Sequence, residues 1–204
     1  MKHFSYRVLL SLLIVIGMAG SPVYAESAVG WYNKGTDFYN QGNYKEAVDA
    51  YNQALLINPE YAKAWNNKGA ALAAQDKYAD AVSAYEKALL IKPNYAKAWN
   101  NKGNALRDLG QFEEAVAAYD EALKIDPGYL KVWISKGLAL NNLERFEEAV
   151  EAFDKALQLD PQNAEALKGR EIAISGPGTS SVGTPVTATQ ASGSISSSKT
   201  TVKQ

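Results

Sequence analysis

Through the middle of the chain, apolar residues fall at helical spacing. Within Tyr78 to Ile91 the residues Tyr78, Val82, Tyr85 and Leu89 lie three or four apart, which places them on one face of an α-helix. Ala62 to Gln75, just before it, has no proline and is rich in alanine and leucine. It predicts a partner helix, joined through the short polar link Asp76-Lys77. Pro93 follows and stops the second helix, because proline has no amide hydrogen and its ring clashes with the preceding turn. Asn94 beside it suits a turn.

This two-helix unit recurs. Tryptophan returns at Trp31, Trp65, Trp99 and Trp133, and proline at Pro59, Pro93, Pro127 and Pro161, each in steps of 34 residues. Glycine keeps the same step at Gly35, Gly69, Gly103 and Gly137. Alanine does so twice, at Ala47, Ala81, Ala115 and Ala149 and at Ala54, Ala88, Ala122 and Ala156. Between the two alanine series lie Tyr51, Tyr85, Tyr119 and Phe153. A fixed period of this length predicts stacked repeats, since a lone helix pair buries too little surface to offset its ordering entropy. Small residues such as Gly69 and Ala81 are expected to face each other where the helices cross, letting the axes approach to about 8 Å. The tryptophans and the ring series supply apolar area.

The motif resembles the tetratricopeptide repeat: tryptophan, glycine, an aromatic residue, two alanines and proline over 34 residues. The resemblance covers Ala28 to Pro161, about two thirds of the chain. It implies an all-α, right-handed superhelical solenoid of four helix-turn-helix repeats, at 28–61, 62–95, 96–129 and 130–163. One departure is that Lys34, Lys68, Lys102 and Lys136 precede the glycines where the family commonly has leucine. A lysine can lay its stem on apolar surface and keep its amine in water. Residues 164–175 read as a capping helix, with Leu167 at the tryptophan place and Lys168, Arg170 and Glu171 outward.

The two ends read differently. Lys2, His3 and Arg7 precede the apolar run Val8 to Ala19, a break at Ser21-Pro22 and a small residue at Ala25. That order predicts a secretory signal peptide over residues 1–25, hence an exported protein: secreted, periplasmic or held in the cell envelope. The alternative is an uncleaved membrane anchor, but the run falls short of the roughly 20 residues a span requires. Residues 176–204 shift to Ser, Thr, Gly, Ala and Val without an aromatic residue, a composition expected to be disordered.

Composition narrows the chemistry. A net charge of -1 gives no basic excess for nucleic acid. There is no cysteine, and the one histidine, His3, lies in the segment expected to be removed. No metal constellation, phosphate-cradling glycine loop or nucleophile–base pair is present, so the reading is non-catalytic and without a cofactor. The glutamate pairs Glu113-Glu114 and Glu147-Glu148 sit where second helices begin, and complement the helix dipole.

The resemblance implies that first helices line a concave groove. Their groove places here hold Lys63, Lys97 and Lys131; Tyr32, Asn33, Asn66, Asn67, Asn100, Asn101, Ile134 and Ser135; and, deeper, Thr36, Tyr39, Asn40, Asn104, Arg107, Asp108, Asn141 and Asn142. Asparagine offers a donor and an acceptor to a peptide backbone, and the lysines favour carboxylates. Tyr32 and Tyr39 offer apolar surface. Some family members clamp a partner's terminal carboxylate, and Asn67, Asn101, Lys97 and Lys131 match part of that clamp. Its first-helix lysine and its arginine are missing, so the full clamp is absent. The expected function is a protein-interaction scaffold that holds an extended or helical partner segment. The alternative is a self-assembling structural module, with Trp31 and Leu167 exposed at the two ends of the array.

Overall fold

The computed structural model describes residues 26–176. The expected signal segment and all but the first residue of the expected disordered tail lie outside them. The described residues form helices α1 (Ala28–Asn40), α2 (Tyr44–Ile57), α3 (Ala62–Ala73), α4 (Tyr78–Ile91), α5 (Ala96–Asp108), α6 (Phe112–Ile125), α7 (Leu130–Asn142), α8 (Phe146–Leu159) and α9 (Ala164–Ser175). These are four helix-turn-helix repeats and a further helix. α4 spans the residues its apolar stripe predicts, whereas α3 stops two residues earlier than expected. The helices fall into two compact units that divide after Ala105, within α5.

In the first unit α1 packs on α2, α2 on α3, and α3 on α4. The glycine and the ring of each repeat meet. A β-carbon added at Gly35 would lie 2.7 Å from the Tyr51 ring, and one at Gly69 would lie 2.6 Å from the Tyr85 ring. Both rings are buried. The sequence reading paired Gly69 with Ala81. It is the Tyr85 ring, one turn further along α4, that occupies the notch left by the missing side chain. Ala81 is buried beside that ring in one apolar cluster with Leu72, Ala84 and Ala105.

The same device holds the second unit, where α6 packs on α7, α7 on α8, and α8 and α7 on α9. Phe153 lies against both Gly137 of α7 and Gly169 of α9. The buried face of α9 is Ala166, Gly169 and Ala173. Leu167 is 47% exposed. It holds a tryptophan's place in a helix that no partner helix follows among the described residues.

Tryptophan and proline share a period for a reason that spacing alone does not reveal. The indole Nε1 of Trp65 donates to the carbonyl of Pro59 at 2.8 Å. Trp99 donates to Pro93 and Trp133 to Pro127, both at 2.9 Å. The proline that ends one repeat thus orients the tryptophan that opens the next, satisfying the polar edge of a ring that is otherwise apolar. The lysines before the glycines cover those rings. Lys34 lies 4.6 Å from the centroid of Trp31, Lys68 5.0 Å from Trp65, Lys102 5.6 Å from Trp99 and Lys136 5.7 Å from Trp133. Each adds a cation–π attraction to the stem packing expected from sequence.

Gly69→Ala tests the notch with opposed signs. Helix propensity alone would stabilise the alanine form by up to about 1 kcal/mol. Overpacking against Tyr85 should instead destabilise it by about 1–3 kcal/mol in denaturant unfolding. A variant as stable as the parent rejects the account.

Candidate functional site

A recess of about 290 Å³ opens in the first unit. Its walls are Thr36, Tyr39 and Asn40 of α1, Tyr51 of α2, Asn66, Asn67 and Ala70 of α3, and Lys97 and Asn101 of α5. Helical geometry explains the grouping. Thr36, Tyr39 and Asn40 are three and four residues apart and share a face, as do Asn66 and Ala70, and Lys97 and Asn101.

Beneath the recess the asparagines are joined side chain to side chain. The Asn101 amide donates to Asn66 Oδ1 at 3.0 Å, the Asn66 amide to Asn67 Oδ1 at 3.0 Å, and the Asn67 amide to the Tyr32 hydroxyl at 3.1 Å. This relay crosses three successive first helices. Asn66 is fully buried, and both of its polar atoms are engaged. The Tyr51 hydroxyl donates to Thr36 Oγ1 at 3.3 Å, and Thr36 donates to the Tyr32 carbonyl at 3.0 Å. Burial raises the Tyr51 phenol above its usual range, and hydrogen bonds with Thr36 and Asn67 oppose that shift. The hydroxyl therefore stays protonated and available as a donor at neutral pH.

The structure brings together Thr36, Tyr39, Asn40, Asn66, Asn67, Lys97 and Asn101 of the residues expected at the groove. It divides their roles. Asn66 and Asn100 were expected to face a peptide, but both are buried. The cause is the relay, which turns Asn66 toward its neighbours. The Asn100 amide reaches Asn101 only at 3.4 Å, and its Oδ1 has no hydrogen-bond partner among the described residues. Tyr32 works from below, its ring 5.0 Å from that of Tyr61 and 6.0 Å from that of Tyr51. Lys63 and Asn33 are exposed outside the recess walls, and Asn104 is half-buried outside them. Lys131 is exposed on α7 of the second unit. Sequence reasoning missed Tyr51, which it assigned to the core. The available signal was that Tyr51 carries a hydroxyl where Phe153 carries none, and a buried hydroxyl requires a partner.

Lys97 is the one charged residue on the recess wall, among amides, hydroxyls and aromatic edges. Such a lining can orient a peptide through neutral polar pairing and fix one carboxylate. No group of three or more acidic or histidine side chains suited to a metal ion occurs among the described residues. No helix among them is long and apolar enough to cross a membrane.

The sequence profile described as "Tetratricopeptide repeat" matches residues 32–97, 72–129 and 100–164. The chain belongs to the tetratricopeptide repeat family. Solved structures agree on the fold of this repeat protein. A MamA protein is 20% identical with a TM-score of 0.70, over 74% of this chain and 83% of that one. YrrB, described as a TPR protein with an unusual peptide-binding site, is 21% identical with a TM-score of 0.66, over 74% and 78%. The first TPR of Spaghetti (RPAP3), bound to the HSP90 peptide SRMEEVD, is 27% identical with a TM-score of 0.57, over 61% and 98%. No curated protein matches the sequence.

The relay makes an ordered prediction about stability. Asn66→Ala removes an acceptor for Asn101 and a donor to Asn67, and should cost about 1–3 kcal/mol in denaturant unfolding. Asn100→Ala should cost distinctly less, because it breaks one long hydrogen bond. Equal losses, or the reverse order, would refute a structural role for the relay.

Proposed function

We propose that this repeat protein is a non-catalytic scaffold that holds an acidic segment of a partner polypeptide in the recess of its first unit. The observation that carries the reading is Lys97 standing on the wall beside Asn67 and Asn101, over an amide relay that fixes both. A cation backed by preoriented amides suits a carboxylate and the peptide group next to it. The amides are already committed in direction, so little rotamer entropy remains to be lost on binding. Tyr39 and the edge of Tyr51 give a neighbouring ligand side chain apolar surface. The first TPR of Spaghetti (RPAP3) binds a peptide that ends in acidic residues, which supports the class of ligand. Of the partial clamp noted in the sequence, Asn67, Asn101 and Lys97 line this recess and Lys131 does not.

The reading is tested by fluorescence anisotropy with a labelled acidic peptide carrying a free terminal carboxylate, and with its terminal amide. The full chain should prefer the free acid. Lys97→Ala should weaken that binding by roughly tenfold or more, the value of a hydrogen bond to a charged group, while Lys63→Ala should not. Equal binding by the Lys97→Ala protein would overturn the assignment of the recess.

We further propose that the scaffold works outside the cytoplasm, released from residues 1–25. The support is the order of basic, apolar and small residues ending at Ala25. Intact-mass analysis of the protein from cells of its source should give a chain beginning at Glu26. A chain that retains Met1 in the membrane fraction would replace this reading with an anchored one.

A further inference from the structure

A second recess, of about 510 Å³, lies between α2, α3 and α4, lined by Asn52, Trp65, Lys68, Asp80, Ser83 and Lys87 among others. It shares no residue with the recess that holds Lys97. Trp65, Lys68 and Leu72 reach it from one side of α3, while Asn66, Asn67 and Ala70 reach the other recess from the opposite side. At 100° per residue these are two distinct faces of a single helix.

The repeats show what this place normally contains. One residue on each second helix faces a cation on the next first helix. Glu86 of α4 pairs with Lys102 of α5 at 2.8 Å, Asp120 of α6 with Lys136 of α7 at 2.6 Å, and Asp154 of α8 with Arg170 of α9. One repeat earlier, the acidic place is held by Asn52 of α2 and the cation is Lys68 of α3. The ladder of carboxylates is therefore broken at its first rung by an amide of nearly the same shape and no charge.

At that rung the positive charge is doubled. Lys68 and Lys87 both lie over the Trp65 ring, each 5.0 Å from its centroid. Neither is in an ion pair among the described residues. Burial and then the nearness of Lys87 hold the Lys68 amine below its usual range, with Asp80 acting in the other direction. Asp80 stands on the wall without closing an ion pair to either lysine. The half-buried Lys68 ammonium, with the exposed Lys87 ammonium beside it over one indole, gains from an added anion, which would relieve their mutual repulsion and restore solvation lost at Lys68.

We propose that this recess is a docking site for an aspartate or glutamate side chain of a partner polypeptide, received by Lys68 and Lys87 where later repeats carry their own carboxylate. The ligand class follows from the array. Three equivalent rungs hold a carboxylate against the cation, so the backbone spacing of the repeat is already suited to that group. The Asn52 amide and the Ser83 hydroxyl on the wall add hydrogen-bond capacity for its second oxygen. The site is independent of the Lys97 recess and of the ligand proposed for it.

The experiment is a titration of the full chain with the blocked peptide acetyl-Glu-Gly-Glu-Gly-Glu-Gly-amide, which has side-chain carboxylates and no free terminus. Inorganic phosphate serves as the second probe. The readout is the side-chain NMR signals of Lys68 and Lys87 and the indole signal of Trp65. The peptide should shift all three at millimolar concentration. Asn52→Asp should abolish the shifts by supplying the missing carboxylate within the chain, and should raise the melting temperature, so loss of binding is not loss of fold. Lys68→Gln should abolish the peptide response as well. Lys97→Ala should leave it intact, which separates this site from the other recess. The proposal is overturned if the peptide shifts none of the three signals, if the Asn52→Asp protein responds like the parent, or if phosphate shifts them and the peptide does not.

Discussion

The ring of Tyr51, Tyr85 or Phe153 reaches into a notch where the facing helix has no side chain. Each added β-carbon at Gly35, Gly69 or Gly137 would meet that ring inside van der Waals contact. The two helices of a repeat can close only because glycine and ring occupy complementary space. Burying such a ring contributes about 1.5–3 kcal/mol, more than any single surface contact in the repeat. Once the ring is seated, the small residues flanking it follow as consequences. Ala47 and Ala54 flank Tyr51 in sequence, Ala81 and Ala88 flank Tyr85, and all four are fully buried. A larger residue at any of them would hold the helices apart and pull the ring out of its notch.

Seating a tyrosine rather than a phenylalanine has a polar consequence that reaches the candidate site. The Tyr51 hydroxyl is carried toward the first helices and bonds with Thr36 and Asn67. Tyr119 likewise bonds with Ser135, which stands two repeats after Asn67 in the same series. In the last repeat the ring is Phe153, and the residue at the corresponding place is Gly169, packed directly on the ring. The hydroxyls of Tyr51 and Tyr119 each meet a polar partner, and the bare ring of Phe153 meets a bare backbone. Tyr51 therefore closes the core with its ring and stands on the wall of the Lys97 recess with its hydroxyl edge.

The period of 34 made the architecture legible, because tryptophan, glycine, ring and proline are each tied to one packing event per repeat. It gave the order of the helices, while the apolar stripe within one period located α4 to the residue. It could not say that Gly69 serves Tyr85 rather than Ala81, since a contact partner one turn away leaves the periodicity unchanged. The site was legible as positions and not as roles. Asn66 and Asn67 are adjacent, chemically identical and joined in one relay at the recess wall, yet Asn66 is fully buried and Asn67 only partly so. Nothing in an amide's identity distinguishes a side chain that binds a neighbour from one that binds a ligand. That depends on which direction the helix turns it, and on what the next repeat presents at 3.0 Å.

Repetition also determines where new chemistry can arise. In a repeat array most positions are constrained twice, by their own repeat and by the neighbour against which they stack. A contact that recurs in every repeat is therefore explained by the fold. A contact missing from one repeat is not, because the same backbone supports it elsewhere. Asn52 is such a departure, since the ion pair it fails to make is made at Glu86, Asp120 and Asp154. So is the meeting of Thr36 and Asn40 with Lys97: Ala70, Asn104 and Leu138 replace Thr36 in the later repeats, and Ala74 and Asp108 replace Asn40 one and two repeats on. Both recesses lie in the first unit. The scaffold is uniform in its core because the ring and glycine leave no freedom there. Its capacity to discriminate between partners rests on the few places where that uniformity is broken.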